Sequence, residues 1–456
     1  MLAFLFQNPI PGPGTFPRGV HPPTRKTLTC GTAVEVLPTP DTIVLPLQQH
    51  IGAPCEMIVK ARQTVTYGQM VARSDALISA SLHAPVSGKI AKPVAVTLPN
   101  GRHMMAVVIQ PEGEQPGGRE LLEDMFSADW PTTIGADPPP DAISRMIREA
   151  GIVGLGGAAF PTHVKIAPNE RKPVNALLVN GCECEPYLTA DDRLMQEFPA
   201  PIVTGALYAA RSIGAERIYV CIESNKPAAV EALRRAAAGT GIIVAVLKTK
   251  YPQGSERHLI KAVTDRVIPL GGLPADVGVA VSNVGTMAAV ARAVVKGRPL
   301  THRIVCVTGR GIRHPKNLLV PVGARYRDLI EYCGGLTKDA ARLVSGGPMM
   351  GFAFTDQDMP ITKGTGGLTV LTREDIKRRE ETACIRCGRC VDVCPMHLVP
   401  AKLAQAAKNK DIGLAEQYNI MGCMESGCCG YVCPANIPLV QFIRMGKAMV
   451  MAEKRK

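Results

Sequence analysis

A chain of 456 residues is too long for one compact core, and three or four domains are expected. Its 46% apolar and 20% charged residues are those of a soluble globular protein, and no apolar run approaches the roughly 20 residues that span a bilayer. The net charge of +13 suits an acidic partner, such as an electron-carrier protein, or anionic lipid headgroups; without basic–aromatic interleaving or a recognition helix, nucleic acid is not expected as a partner.

Met1–Phe6 is apolar but lacks a basic leader and a small-residue cleavage site, so it is not read as a secretory signal and a cytosolic location is expected. Residues 1–29 carry Pro9, Pro11, Pro13, Pro17, Pro22 and Pro23 and read as an extended arm. From 30 to 112 come short strand-like runs broken by turns: Thr42–Leu47, Glu56–Val59, Thr64–Val65, Lys89–Ile90 and Met105–Ile109. His83-Ala-Pro-Val-Ser-Gly88-Lys-Ile resembles the hairpin of lipoyl- and biotinyl-type sandwich domains, but no Met-Lys-Met-like tip is present. The module is therefore expected to serve packing or docking rather than a swinging arm. Residues 113–140 read as a linker with room for one short helix.

Helical periodicity then puts Ile143, Met146 and Ile147 on one face of 141–149. Strands are predicted at 175–180, 217–223, 242–247 and 277–282, alternating with helices at 202–212, 228–237, 256–267 and 286–296. That order predicts a parallel α/β sheet across 141–300. Residues 301–372 are mostly β with one helix, Tyr326–Cys333, and 373–456 are largely helical, ending in a basic tail.

Eight of the fifteen cysteines fall after residue 380, which in a long cytosolic chain argues for metal rather than disulfides; the scattered Cys30, Cys55, Cys182, Cys184, Cys221, Cys306 and Cys333 read as small core residues. Cys384, Cys387, Cys390 and Cys394, followed by Pro395, have the C-x2-C-x2-C-x3-C-P spacing of bacterial [4Fe–4S] ferredoxins. Cys423, Ser426, Cys429 and Cys433, followed by Pro434, repeat it with one cysteine replaced. The order and its repetition argue against two zinc sites. In paired motifs the last cysteine serves the other cluster, which assigns Cys384, Cys387, Cys390 and Cys433 to one, and Cys423, Cys429 and Cys394 to the second. For its fourth position three readings stand: Ser426 ligates, Cys428 moves in, or no protein ligand exists. Thiolate preference tilts slightly towards Cys428, at the cost of a shifted loop.

The glycines of Gly154-Leu-Gly156-Gly157 allow a close backbone approach to a phosphate or flat ring, and Lys165 adds a charge for the phosphate; alone, such a loop is equally a plain turn. Asn180 has an amide for a flavin ring edge, and Glu183 or Glu185 a carboxylate for a ribose or nicotinamide amide. Cys182-x-Cys184 lacks the matching pair a zinc site needs, and Asp191-Asp192-Arg193 reads as a charged face or helix cap. Tyr251–Glu256 and Ser282–Thr286 lie where predicted strands meet helices, the edge at which ligands of open α/β sheets collect.

Together, Gly154–Lys165, Asn180–Pro186, Tyr251–Glu256 and Asn283–Thr286 resemble the FMN- and NADH-binding loops of the flavoprotein subunit of respiratory complex I. The whole order, including Gly19-Val-His-Pro-Pro23 and Pro46-Leu-Gln-Gln-His-Ile-Gly-Ala-Pro54, more closely resembles the C subunit of Rnf electron-transport complexes. The resemblance implies a multidomain α/β protein: a β sandwich-hybrid module, a Rossmann-like FMN/NADH domain, a β-grasp module and a helical two-cluster ferredoxin-like domain. It implies FMN, NAD(H) and two [4Fe–4S] clusters, with flavin and nucleotide loops at Gly154, Gly156, Gly157, Lys165, Asn180, Glu183, Glu185, Gly254, Glu256, Asn283 and Thr286. It further implies a peripheral subunit on the cytoplasmic membrane face. Expected partners are membrane-embedded and ferredoxin-like iron–sulfur subunits, with electrons passing between ferredoxin and NAD in a process coupled to sodium or proton transport. A soluble reductase such as a cobalamin reductase is the alternative, although there the flavin domain stands near the N-terminus, whereas here residues 1–140 precede it. A non-enzymatic scaffold stiffened by its clusters is the third reading.

Overall fold

The computed structural model describes residues 10–169, 171–376 and 380–454, so the apolar Met1–Phe6 and the last two residues of the basic tail lie outside it. Four sheets and a helical tail are arranged along the chain in the expected α/β multidomain order.

The N-terminal sandwich has one sheet of Ile43–Pro46, His103–Pro111, Gly88–Ile90 and Thr64–Val65, with Val94–Thr97 beside His103–Pro111. Its second sheet is Glu56–Met57, Met70–Arg73 and Leu82–His83. Ile43, Leu45, Val65, Val71, Leu82 and Ile109 meet between them. Three of these strands, 70–73, 82–83 and 94–97, are not apparent from sequence, because two to four residues show too little alternation.

The parallel sheet runs Ile243–Leu247, Arg217–Glu223, Ala176–Asn180, Val279–Asn283, so the third, second, first and fourth strands of the domain lie side by side. Period-2 burial explains the two layers. Leu177, Val179, Val220 and Ile222 face the helices Pro199–Ile213 and Val284–Lys296, while Leu178, Tyr219, Cys221 and Val281 face the helix Glu256–Thr264. Pro199 starts its helix and Gly214, in left-handed conformation, ends it; Asn283 and Gly297 do the same for Val284–Lys296. The helix expected to reach Val267 stops at Thr264, where Asp265 turns left-handed (φ 59°) and its carboxylate accepts from Lys261 Nζ at 2.6 Å.

The third sheet orders Val34–Val36, Lys316–Pro321, His302–Thr308, Gly367–Thr372, Ala340–Ser345 and Phe352–Phe354, with the helix Tyr326–Tyr332 over it. Val34–Val36 pairs in parallel with Asn317–Leu319, so this early strand joins the third module rather than the sandwich that follows it in sequence.

In the tail, Pro400–Lys408 and Leu439–Glu453 each follow a cysteine run and pack together around Leu403, Ala406, Ile420 and Ile443. The arm runs back over the molecule. Gly12 and Gly14 N–H groups donate to Val263 and Ala262 carbonyls, Val20 and Tyr251 exchange backbone bonds at 2.9 Å, and Gly19 N–H donates to Val393 C=O.

Candidate functional site

Asn180 and Asn283 end adjacent strands and face each other in register, at the point where the strand order reverses. At such a point, outside the carboxyl ends of the strands, open α/β sheets place their ligand crevice. The glycine loop roofs it: a Cβ on Gly156 would lie 3.0 Å from Asn283 Cβ, and Leu155 N–H donates to Thr286 Oγ1 at 2.9 Å. Asn283 caps its helix through Gly285 and Thr286 N–H groups and donates to Asp191 Oδ2 at 2.7 Å. Asn180 Nδ2 donates to Gly254 C=O at 2.7 Å, while its Oδ1 accepts from Cys182 N–H. Gly156, Asn180, Gly254, Asn283 and Thr286 thus come together, with Gly154 and Gly157 on the same loop as Gly156. At the crevice mouth Lys165 Nζ lies 2.7 Å from Glu256 Oε1, both side chains about one-third exposed, so the pair has a stability contribution of at most about 1 kcal/mol and is free to exchange for an anionic ligand.

Glu183 and Glu185 differ from the sequence expectation of a ribose or nicotinamide contact. Glu183 accepts from Asp191 and Asp192 N–H groups, capping the helix Ala190–Glu197. Glu185 accepts from Met349 and Met350 N–H groups at 3.1 and 2.8 Å, joining the flavin-side loop to the third module. Burial pushes both carboxyls up to about 7, Lys26 beside Glu183 opposing the shift. Lys26 comes from the arm and donates to the carbonyls of Glu183, Glu185 and Leu188. Sequence reading missed Lys26, and also Lys226, which is buried with its Nζ on Cys182 C=O at 2.6 Å. It missed Gln253 as well, a fully buried amide whose oxygen and nitrogen both lack partners. An orphaned amide in the loop that follows a parallel strand is what a ligand-binding crevice provides. Its only sequence signal is its place inside Tyr251–Glu256.

The two cysteine runs fold alike. Arg386 and Glu425 have φ of 56° and 60°, Gly388 and Gly427 have 78° and 81°, and each turn leads into a four-residue helix, Arg389–Asp392 or Cys428–Tyr431. Cys394, Cys423, Ser426 and Cys429 line one cavity. Burial pushes the Cys390 thiol up, and the nearby thiols of Cys433 and Cys384 add to it, placing these three together. Cys384 and Cys387 are exposed, whereas Cys394 and Cys429 are buried. Soft sulfur donors crossed between two matched turns fit a pair of iron–sulfur clusters.

The buried turn abuts the crevice loops. Tyr251 Oη donates to Ser426 C=O at 2.7 Å, His258 Nε2 lies 3.0 Å from Pro395 C=O, and Cys428 packs with Val20, Tyr251, Cys184 and Met349.

A glycine-roofed crevice at a switch point, touching a twofold cysteine repeat, defines an electron-transfer protein of the flavin and iron–sulfur class. Four protein-family models match in chain order: the RnfC barrel sandwich hybrid domain over 14–114, the Nuo51 FMN-binding domain over 147–292, the SLBB domain over 304–353, and the 4Fe-4S dicluster domain over 383–437. The chain is 43% identical to the C subunit of the proton-translocating ferredoxin:NAD(+) oxidoreductase complex of Clostridium ljungdahlii, over 95% of this chain and 93% of that one. It is 41% identical to the Na(+)-translocating counterpart of Acetobacterium woodii, over 97% and 98%. A chain of an NAD+-reducing [NiFe]-hydrogenase in the H2-reduced state shares the fold alone, with a TM-score of 0.50 and 19% identity over 70% of this chain and 64% of that one. The chain belongs to the family of C subunits of Rnf-type ion-translocating ferredoxin:NAD(+) oxidoreductase complexes. FMN, [4Fe–4S] clusters and NAD(H) are accordingly its cofactors. Among the described residues, no helix is long and apolar enough to cross a membrane.

Proposed function

We propose that this chain passes electrons between NAD(H) and one-electron carriers as a peripheral subunit on the cytoplasmic face of an ion-translocating membrane complex. Membrane-embedded subunits and a ferredoxin-like iron–sulfur subunit are its neighbours, and ferredoxin is reached indirectly. The relatives' names and their nearly full-length identity support this reading. The observation that carries it is the direct contact between the crevice loop and the second cysteine turn, through Tyr251 and Ser426.

A flavin held here exchanges electrons both in pairs and singly, which nicotinamide and iron–sulfur clusters each do in only one way. The chain's residues supply position. Gly154, Gly156 and Gly157 let the backbone approach the ligand, Asn180, Asn283 and Thr286 fix the crevice floor, and Gly254 lines its wall. Lys165 and Glu256 stand at the mouth as partners for a phosphate and a nucleotide hydroxyl. Cys384, Cys387, Cys390 and Cys433 hold the outer cluster, and Cys394, Cys423 and Cys429 the inner one.

Anaerobic reconstitution with iron, sulfide and FMN tests the assignment. NADH is expected to bleach the flavin absorbance and then to produce EPR signals from two clusters. A colourless protein holding zinc, or a flavin that NADH does not reduce, would overturn it. Co-purification with membrane subunits separates this function from that of a soluble reductase.

A further inference from the structure

The two cysteine turns correspond position by position in sequence and repeat the same backbone angles, which shows what stands at the altered position. Cys384 corresponds to Cys423, Cys387 to Ser426, Arg389 to Cys428, and Cys390 to Cys429. The backbone repeats with them: Gly388 has φ 78° and ψ −15°, Gly427 φ 81° and ψ −13°. The short helices end alike, at Val393 with φ −94° and ψ −5°, and at Val432 with φ −96° and ψ −2°. No shift of the second loop is present, although Cys428 needs one to reach a ligand position.

The loop is also clamped where it is. Tyr251 Oη holds the Ser426 carbonyl, and Arg444 and Lys447 hold the Glu425 carboxylate at 2.7 and 2.6 Å. Gly427 is pressed against the neighbouring module so closely that a Cβ there would lie 2.6 Å from Met349 C=O. Moving Cys428 inward breaks a buried hydrogen bond and a two-armed ion pair together. Its thiol packs with Val20, Tyr251, Cys184 and Met349 on the crevice side of the turn, within hydrogen-bond reach of the Ser426 side chain. The cavity between the turns is lined by Cys394, Cys423, Ser426 and Cys429 and not by Cys428.

We propose that Ser426 Oγ is the fourth protein ligand of the inner cluster, beside the thiolates of Cys394, Cys423 and Cys429, and that Cys428 is a packing contact towards the crevice. This rests on the cluster assignment above. The hydroxyl gives its proton to solvent as the Fe–O bond forms, and no electron is transferred in that step. Sulfur's preference for iron, which favours Cys428 on chemistry alone, is outweighed by a loop that cannot bring it in. An alkoxide is a harder donor than a thiolate and favours the oxidised cluster.

Full-length protein, reconstituted anaerobically, is compared with Ser426→Cys, Ser426→Ala and Cys428→Ala by iron count, EPR and redox titration. Ser426→Cys is expected to keep the iron count, change the g values of one cluster and raise its midpoint potential. Ser426→Ala loses a single iron per chain and gains a three-iron EPR signal, whereas Cys428→Ala keeps every iron and shows at most a shifted potential from the lost hydrogen bond to Ser426. Loss of iron in Cys428→Ala with Ser426→Ala unaffected would assign the site to Cys428 and overturn the proposal, as would identical spectra for all variants. Failure of the unmodified protein to take up any cluster is a different result, and it removes the underlying cluster reading itself.

Discussion

Lys363 shows how a single buried side chain locks three modules. Its Nζ donates to Ser81 and Gly151 carbonyls, both at 2.6 Å, and its N–H donates to Gln49 Oε1. Its own carbonyl accepts from Arg303, which also reaches Leu155 C=O under the glycine loop. Burial pulls the ammonium down to about 7 from its ordinary 10.5. Between those values the unfolded chain holds a proton that the folded one has released, so stability rises with pH through that window, by up to about 1.4 kcal/mol per pH unit. Lys363→Met should flatten the rise between pH 7 and 9 in urea melts; an unchanged slope would mean that the lysine stays charged. Nothing in the sequence marks this lysine, because its partners are carbonyls far along the chain. Asn180 and Asn283 were legible by contrast, since each ends an apolar run just before a glycine-containing loop.

Among the elements, the helices Pro199–Ile213 and Val284–Lys296 approach each other closely, and Gly205 permits it: a Cβ there would lie 1.8 Å from Met287 C=O. Because Val284–Lys296 begins at Asn283, any separation of the pair moves the crevice floor. Gly205→Ala is expected to cost about 3 kcal/mol by overpacking, read as a lowered denaturation midpoint, and to weaken FMN binding. A stability within about 0.5 kcal/mol of the parent's would show that the helices adjust freely. Elements of the parallel sheet were readable because four strands and their helices repeat strong periodicities with caps. Val34–Val36 was not, since three residues carry no information on which distant strand they join. The twin turns were readable in spacing but not in the left-handed residues Arg386, Gly388, Glu425 and Gly427, on which the proposal for Ser426 rests.

At the scale of the whole molecule the arm is a strap. It bonds to the helix Glu256–Thr264 through Gly12 and Gly14, and to Tyr251 through Val20. It also reaches the first cysteine turn, through Gly19 to Val393 and Arg18 Nη1 to Val391 at 2.8 Å. Proline and glycine content announced an extended segment; the surface it covers is a tertiary fact and left no local trace. Deleting residues 1–20 should leave NADH reduction of the flavin intact and slow the onward transfer to the clusters roughly tenfold or more, as seen by stopped-flow absorbance, because small displacements of a donor–acceptor pair are costly. Unaltered transfer would mean that the tail module docks unaided.

The unequal exposure of the two cysteine turns sets the geography of traffic. The turn beside the crevice is walled in by Tyr251 and Met349, whereas Cys384 and Cys387 lie open to solvent. Under the proposed function, exchange with an external one-electron carrier belongs at this open turn, away from the crevice.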